Sequence, residues 1–515
     1  MWMQPVWALQ VQLTFVTLCV LLVLSTQLQP GKCQNRRQLT CPRQLLNTPC
    51  TCRRLLDDAA EGLEVVCENA DVDQIGVLLH KIPKETPIKY MRLRGNQMVQ
   101  IPRLRFEHLH IQHLFITRCN VQMIDDMAFF NLESHLHSLD LSGNLLTAVP
   151  TEALRRLHAL RVLHLAHNLL TGLHVSGFAG LGQLHTLTLD HNDIDQVHLF
   201  AFNGSDNLTK ITLGHNRIRT LPARLLATLG RLEELQLQHN QLETLPEEFF
   251  HGVTGSLTRL DLGHNVFRRV PGPVAQLYNL EVLLMNHNCL EDVAGDAFTP
   301  ALTSKLQLLD VSSNNISRIP VEALWTAENL AQLNMRNNSL TELPDHAFAK
   351  AHQLEFLYLQ ENQISNVSVK ALHGLHRLEW LYLARNNLSA LHEATFKPVK
   401  SSLKILDIHD NPLRCDCQLK WLTQADWPLR LSHEEDSKCR EPAEAFGWPL
   451  TRPANYPPLC HRPTPRPTPL ALNGNGARPA ARGPHPAFTI DVCVQYSFLS
   501  FLLFYYSTTA HRMAV

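Results

Sequence analysis

Histidine is the residue type of this chain that most readily suggests chemistry, since 28 of its 515 residues are histidine. Imidazole can transfer protons, bind metal ions and titrate near neutral pH. Six of the histidines recur every 23 to 25 residues, each immediately before an asparagine. This spacing predicts a histidine strip, which is either a solvated polar position or a strip sensitive to pH or metal ions. Its members are His167, His191, His215, His239, His264 and His287.

The histidine strip suggests a pH hypothesis. If its rings keep the ordinary histidine pKa near 6.5, they charge together on acidification, and neighbouring rings repel by about 1 kcal/mol in water. A ligand held at neutral pH would then be released in an acidic compartment.

Catalytic patterns are absent from the sequence. A catalytic site holds different residue types at one place, whereas these histidines follow a repeat. His433-Glu434-Glu435 lacks the second histidine of the H-E-x-x-H zinc motif, and there is no P-loop, G-x-G-x-x-G or G-x-S-x-G segment. We therefore predict that the protein is not an enzyme and has no catalytic residues, metal site or cofactor.

Most of the 13 cysteines lie in two groups of four. Such groups either bind zinc or form disulfides. The apolar run 13–24 within residues 1–27 indicates a secretory signal peptide and therefore an oxidising compartment, which favours disulfides. Counting leaves their pairing open, and Cys119 and Cys289 are expected to be buried free thiols. The two groups are Cys41, Cys50, Cys52 and Cys67, and Cys415, Cys417, Cys439 and Cys460.

The elements that position these residues are repeats of the pattern L-x-x-L-x-L-x-x-N-x-L, spaced by 23 to 26 residues where Asn fills the asparagine position. Leu381 and Leu383 of one unit are one residue apart, so both side chains point to the same face of a strand. We expect the asparagine amide to bond backbone groups of the neighbouring turn. Fourteen units are present, with Asn96, Cys119, Asn144, Asn168, Asn192, Asn216, Asn240, Asn265, Asn288, Asn314, Asn338, Asn362, Asn386 and Asn411 in the asparagine position.

Stacked repeats of this kind predict an α/β-type leucine-rich-repeat solenoid, a curved horseshoe with parallel strands on its concave face. The segments Cys41 to Cys67 and Asn411 to Leu422 resemble the cysteine-rich caps of extracellular leucine-rich-repeat proteins, including chondroadherin, the Nogo receptor, connectin and chaoptin. The resemblance implies disulfide-bonded caps with the bridges Cys41–Cys52, Cys50–Cys67, Cys415–Cys439 and Cys417–Cys460. Cys33 lies outside this pattern, and two alternatives are open for it: a bond to Cys41 in place of Cys52, or a bond to another chain.

The domain organisation follows from these patterns. We predict an N-terminal cap at 33–87, repeats at 88–411 and a C-terminal cap at 412–460. A Pro-rich linker at 461–487 precedes an apolar tail at 488–515, which is a GPI signal, a membrane anchor or the end of a secreted chain. Six N-x-S/T sequons predict surface glycans at Asn203, Asn207, Asn315, Asn337, Asn366 and Asn387.

Four aromatic residues flank core leucines in two consecutive units, where strand alternation turns them outward. The same positions elsewhere hold mainly small or polar residues, such as Thr186 and Thr188. The aromatic patch is therefore either a ligand-binding surface or a set of rings that simply stack on one another. It consists of Phe356, Tyr358, Trp380 and Tyr382, and Arg336 and Arg385 are expected to add polar contacts or stack on the rings.

Two function classes agree with these observations. The first is a cell-surface adhesion or recognition receptor that binds a protein ligand on its concave face and acts with a co-receptor or as a dimer. The second is a secreted matrix-binding protein similar to chondroadherin, whose partner is a matrix component. A net charge of −1 argues against a nucleic-acid partner.

Overall fold

The computed structural model describes residues 41–42, 49–57, 60–70, 72–83, 86–293, 298–423, 427 and 429–451. Its main feature is a sheet of 17 strands that follow one another in chain order. Only the first pair is antiparallel, and every later pair is parallel. The strands are Cys50–Asp57, Ala60–Glu68, Pro87–Arg94, His110–Thr117, Ser138–Asp140, Val162–His164, Thr186–Thr188, Lys210–Thr212, Glu234–Gln236, Arg259–Asp261, Val282–Leu284, Leu308–Asp310, Gln332–Asn334, Phe356–Tyr358, Trp380–Tyr382, Ile405–Asp407 and Arg430–Leu431.

Fourteen of these strands, Pro87–Arg94 to Ile405–Asp407, correspond one to one with the fourteen repeat units of the sequence. In the strand Thr186–Thr188 the central leucine is buried and its two neighbours are half-buried. Leu187 lies beside Leu163 on one side and Ile211 on the other, so equivalent positions of successive repeats stack in register. The predicted leucine-rich-repeat solenoid is confirmed.

The asparagine position of each repeat forms a buried ladder of hydrogen bonds. The Asn240 side chain donates to the carbonyls of Leu213 at 2.9 Å and Leu237 at 3.0 Å, and it accepts from the Ile218 backbone N–H at 3.0 Å. Buried backbone groups need such partners, which explains the asparagine in nearly every unit. In the second unit the Cys119 thiol donates to the Leu93 carbonyl at 3.3 Å instead.

The return segments form the second wall of the core with short helices and turns. Phe249 and Phe250 are completely or almost completely buried there. The α-helices of the described residues are Val72–Lys81, Thr151–Leu154, Pro300–Thr303, Val321–Leu324 and Glu393–Phe396, and the 3₁₀ helices are Gly272–Gln276, Lys397–Val399, Cys417–Thr423 and Ala443–Ala445. Paired short strands follow the asparagine positions, namely Gln100–Ile101 with Met123–Ile124, Gly172–Leu173 with Gln196–Val197, and Glu342–Leu343 with Asn366–Val367. None of the helices in the described ranges has the length and apolar content needed to cross a bilayer.

Both ends of the repeat stack carry disulfides. The bridges Cys41–Cys52, Cys50–Cys67 and Cys415–Cys439 are formed, which are three of the four pairs that the resemblance implied. At the C-terminal end Trp421 is buried against Phe396 at 4.9 Å between ring centroids. Its indole N–H donates to the Leu391 carbonyl at 3.2 Å. The cap therefore covers the leucines that the last repeat would otherwise expose.

The remaining cysteines differ in their outcomes. Cys119 is a buried free thiol, and burial raises its pKa. The expectation of a free thiol at Cys289 is wrong, because this cysteine is disulfide-bonded, as is Cys417. Cys289 therefore belongs to a disulfide although it lies inside a repeat. Cys33, Cys460, the segment 1–27 and the tail 461–515 lie outside the described residues.

Candidate ligand-binding surface

The aromatic patch lies on the strand face, as strand alternation predicts. Phe356 stacks on Trp380 at 6.0 Å between ring centroids, and Tyr358 stacks on Tyr382 at 4.8 Å. Trp380 also lies 6.4 Å from Tyr382, so the four rings form a two-by-two array. Each is half-buried, whereas Leu357 and Leu381 between them are fully buried. The array presents apolar ring surface that is already ordered before a ligand arrives.

The two tyrosines of the patch stay neutral at physiological pH. Burial raises the pKa of Tyr358 above its usual value near 10. Burial also raises the pKa of Tyr382, with additional contributions from Tyr358 and Asp407. Their hydroxyl groups can therefore donate as well as accept hydrogen bonds at the edge of an apolar surface. Such amphipathic rings are enriched where proteins bind one another.

The two arginines near the patch bind a shared carboxylate. Arg336 and Arg385 both bind Glu361, at 2.8 Å and 3.0 Å between Nη and Oε1 atoms. The hydrogen bond from Arg336 is the main cause that lowers the pKa of Glu361. Neither arginine is among the cations that lie over aromatic rings in the described part of the chain. The sequence left polar contacts and ring stacking open for these arginines, and the structure shows polar contacts to Glu361 of the intervening repeat.

A second ring cluster near the N-terminal end was missed by sequence reasoning. Tyr90 and Phe115 lie on the strand face with their centroids 6.5 Å apart, and the Arg92 guanidinium lies 4.2 Å from the Phe115 centroid. Arg92 also donates to Glu64 at 2.9 Å. The available signal was the same as for the aromatic patch, since these residues flank core positions at Met91 and Leu114.

Between the two ring clusters the strand face carries no large aromatic rings in the described strands; it is mostly polar, and Val162, Val282, Leu284 and Leu308 are half-buried there. Lys210 binds Glu234 at 2.9 Å, and the His164 Nδ1 atom lies 2.9 Å from the Thr188 hydroxyl oxygen. Asp190 accepts from the Thr212 hydroxyl and from the Gly214 backbone N–H. These polar side chains form hydrogen bonds and ion pairs with one another across neighbouring strands.

The histidine strip forms the continuous ring stack that its spacing predicted. Consecutive rings lie 3.8 to 4.2 Å apart and within 16° of parallel. Every member has a positive φ between 53° and 55°, a conformation that histidine adopts more readily than most residues. The terminal rings, His167 and His287, are exposed, while the four inner rings are half-buried by their neighbours. The strip is therefore a packed structural feature of the rim.

Stacking changes the titration of the strip. Burial, followed by the charges of neighbouring histidines, lowers the pKa of His239 to about 3 and that of His264 to about 4. The pKa of His191 also falls to about 4, and the pKa values of His215 and His287 are lowered as well. These lowered pKa values depart from the ordinary pKa near 6.5 on which the pH hypothesis rests. Removing water from the inner rings disfavours the imidazolium form.

Metal chelation does not suit the strip either. A metal ion binds in the plane of an imidazole ring, whereas parallel rings about 4 Å apart direct their nitrogens along parallel lines. Within the described residues, the His, Cys, Asp and Glu side chains close enough to share an ion are those of Asp407, His409 and His433. This cluster was not anticipated from the sequence, in which no metal site was expected.

Five of the predicted glycan acceptors are exposed, namely Asn203, Asn315, Asn337, Asn366 and Asn387. Asn207 is half-buried and its amide donates to the Gly182 carbonyl at 2.6 Å. Asn366 lies in an outer strand pair with Glu342–Leu343, apart from the main sheet that carries the aromatic patch. Glycosylation of these positions remains a prediction.

Comparisons with known proteins agree with this architecture. The family model described as leucine rich repeat matches residues 109–170, 134–194, 182–242, 230–290, 304–364 and 357–413. Together these segments cover more than half of the chain.

Relatives in sequence cover only part of this chain. Leucine-rich repeat-containing protein 3B of Homo sapiens is 33% identical over 105 residues, which are 20% of this chain and 39% of that protein. Leucine-rich repeat-containing protein 3 of Danio rerio is 36% identical over 84 residues, which are 16% of this chain and 32% of that protein. The chain thus spans well under half the length of these relatives.

Solved structures show the same fold. A leucine-rich-repeat protein of Leptospira interrogans superposes with a TM-score of 0.60 at 24% identity, covering 72% of this chain and 89% of its own. TLR13, solved in a complex with ssRNA13, gives a TM-score of 0.62 at 23% identity and covers 75% of this chain and 59% of its own.

Proposed function

This chain belongs to the leucine-rich repeat family, and we propose that it is a cell-surface recognition or adhesion receptor whose strand face binds a protein ligand. The observation that carries the proposal is the aromatic patch, four half-buried rings in a two-by-two array on two adjacent strands. Water-exposed ring surface of this size is costly unless a partner covers it.

The chemistry of the patch favours a protein partner. Stacking holds the rings in place, so binding costs little additional side-chain entropy. Glu361, Arg336 and Arg385 form a charged border to the apolar centre. An apolar centre with a polar border is the usual anatomy of a protein interface. A nucleic-acid ligand is disfavoured by the net charge of −1, since such ligands require a basic surface.

The proposal is tested by the double substitution Trp380→Ala with Tyr358→Ala. Cells that express the full chain are assayed for adhesion to one another and for binding to an array of purified extracellular proteins that includes collagens. We expect the substitutions to reduce adhesion or array binding at least tenfold at an unchanged thermal midpoint. Wild-type binding by a folded double variant would refute the proposal.

A matched control is available at the equivalent positions of an earlier repeat. Thr186→Ala with Thr188→Ala alters the same two strand positions, where the side chains are small and polar. This variant should bind like the wild type. Collagen as the sole partner would favour the secreted matrix-binding class instead.

The attachment to the cell surface is tested separately. We propose a GPI anchor at the C-terminal tail, which lies outside the described residues. Phosphatidylinositol-specific phospholipase should release the full chain from intact cells. Chain that is found only in the medium would favour plain secretion, and chain that resists the enzyme would favour a membrane span.

A further inference from the structure

A cluster of metal-ligating side chains lies where the last repeat meets the C-terminal cap. Asp407 ends the strand Ile405–Asp407, His409 follows it by two residues, and His433 comes from the cap just after the strand Arg430–Leu431. One candidate ligand atom from each residue lies within 4.8 Å of the other two. The Asp407 side chain is only 7% exposed, His409 is 14% exposed and His433 is 57% exposed.

The distances within the cluster suit a small divalent ion. The His409 Nδ1 atom lies 2.6 Å from Asp407 Oδ1, and the His433 Nδ1 atom lies 3.7 Å from Asp407 Oδ2. A tetrahedral zinc ion with bonds of about 2.0 Å places its ligand atoms about 3.3 Å apart. Small side-chain rotations therefore bring the three groups to zinc-binding distance. The exposed side of the cluster leaves a fourth position for water or for a ligand atom.

The surrounding structure orients two of the ligands. His409 Nε2 lies 3.9 Å from Asp410 Oδ2, so a carboxylate stands on the far side of the ring from Asp407. A hydrogen bond from this ring nitrogen to a carboxylate orients a metal-binding histidine, and Asp410 lies close enough to form one after a small rotation. The His433 carbonyl accepts from the Ser437 backbone N–H at 3.0 Å and from its hydroxyl at 3.1 Å, which anchors the exposed ligand to the cap.

The backbone of the last repeat is equally constrained. The Leu383 N–H donates to the Asp407 carbonyl at 2.7 Å, and the Arg385 N–H donates to the His409 carbonyl at 2.9 Å. Asp407 is the strand neighbour of Tyr382, so the cluster adjoins the aromatic patch. An ion held there would connect the last repeat with the cap.

We propose that Asp407, His409 and His433 bind one zinc ion, which joins the cap to the final repeat beside the aromatic patch. The donor set of two imidazoles and one carboxylate is a usual one for zinc. Zinc binding replaces the hydrogen bond between His409 Nδ1 and Asp407 Oδ1. This site stands independently of the proposed receptor function.

The test uses the full chain, freed of metal with a chelator and titrated with Co²⁺ and Zn²⁺. Co²⁺ should give the visible absorption of a tetrahedral complex at one equivalent, and Zn²⁺ should displace it and raise the thermal midpoint. His433→Ala removes the exposed ligand with little effect on packing and should weaken Co²⁺ affinity at least ~100-fold, beyond the loss expected for an outer-shell partner. Asp407→Asn should have a similar effect.

A control variant separates this site from the other histidines. His264→Gln interrupts the histidine strip and should leave Co²⁺ binding unchanged. The proposal is overturned if the tetrahedral spectrum is absent, if His433→Ala binds Co²⁺ like the wild type, or if His264→Gln abolishes binding.

Discussion

The histidine strip and the aromatic patch are both ring ladders that the same repeat produces, yet they differ in how closely their rings stack. In the strip, parallel rings 3.8 to 4.2 Å apart cover one another's faces. In the patch, the rings lie 4.8 to 6.4 Å apart in two rows. The patch rings and the inner strip rings are both half-buried, so ring separation is what distinguishes them. The closer stacking covers more of each ring face in the strip, whereas the wider spacing in the patch leaves apolar ring surface for the proposed partner.

The position within the repeat causes this difference. Strip residues occupy a turn at positive φ before the asparagine, and the His239 N–H donates to the Gly263 carbonyl of the next repeat at 3.0 Å. Patch residues flank a buried leucine on a strand, and their side chains stand away from the sheet. The ladder at the turn packs along the rim, and the ladder on the strand forms the proposed binding surface.

We expect the largest loss of stability from a change in the C-terminal cap. The cap lies much closer to the patch than it does to the strip. Cys439→Ser breaks the bridge to Cys415 and should destabilise the protein by about 2–5 kcal/mol. Because repeats contact only their neighbours, hydrogen exchange should increase in the patch repeats before it increases in the strip repeats. Mass spectrometry of exchanged peptides measures this order, and simultaneous loss of protection in both regions would contradict it.

Loss of one asparagine of the ladder should lower the stability of the protein equally in the strip region and in the patch region. Asn240→Ala in the strip region and Asn386→Ala in the patch region each leave buried backbone groups without a partner. Each should cost about 1–3 kcal/mol of unfolding free energy. Denaturant titration of the two variants compares them directly. A much smaller cost at either position would show that the ladder is not a uniform scaffold.

The repeat, the ladder and the aromatic patch could be predicted because each depends on a local rule that is copied at every unit. Strand alternation alone places Tyr358 and Trp380 outward. The binding of Arg336 and Arg385 to Glu361 could not be predicted, because long flexible side chains can reach several neighbouring groups. The Asp407 and His433 cluster was missed because the cap departs from the repeat pattern. The low pKa values of the strip depend on ring separations that spacing does not reveal.

The pH dependence of thermal stability distinguishes the histidine strip from the aromatic patch. The folded strip has histidine pKa values lowered to about 3 or 4 at His191, His239 and His264, whereas unfolded histidine titrates near 6.5. The unfolded state therefore binds more protons below pH 7, and stability falls as the pH decreases from 7.5 to 5. Calorimetry should show a thermal midpoint lower by a few degrees at pH 5.

Substitutions in each ladder show whether the histidine strip causes this loss of stability at low pH. His215→Asn with His239→Asn should flatten the pH dependence, because asparagine accepts the same backbone conformation, as Asn337 does at the equivalent position. Trp380→Phe should leave the slope unchanged. An equal slope in the strip variant and the wild type would show that other groups control the acid sensitivity.

The central claim is that a ligand covers the strand face at the aromatic patch, and a pair of added glycans tests it most directly. Gln332→Asn with Asn334→Thr creates a sequon on the strand that pairs with Phe356 and Tyr358. Thr186→Asn creates a sequon at the equivalent position in the polar middle of the sheet, since Thr188 already follows at the required spacing. Each glycan is verified by a mobility shift that an endoglycosidase reverses.

Adhesion of cells that express the two glycan variants is then compared with adhesion of cells that express the unmodified chain. The glycan beside Phe356 should abolish adhesion, because it covers the patch, and the glycan at position 186 should leave it at the wild-type level. Unimpaired adhesion with the glycan beside Phe356, or loss of adhesion only with the glycan at position 186, would contradict the claim.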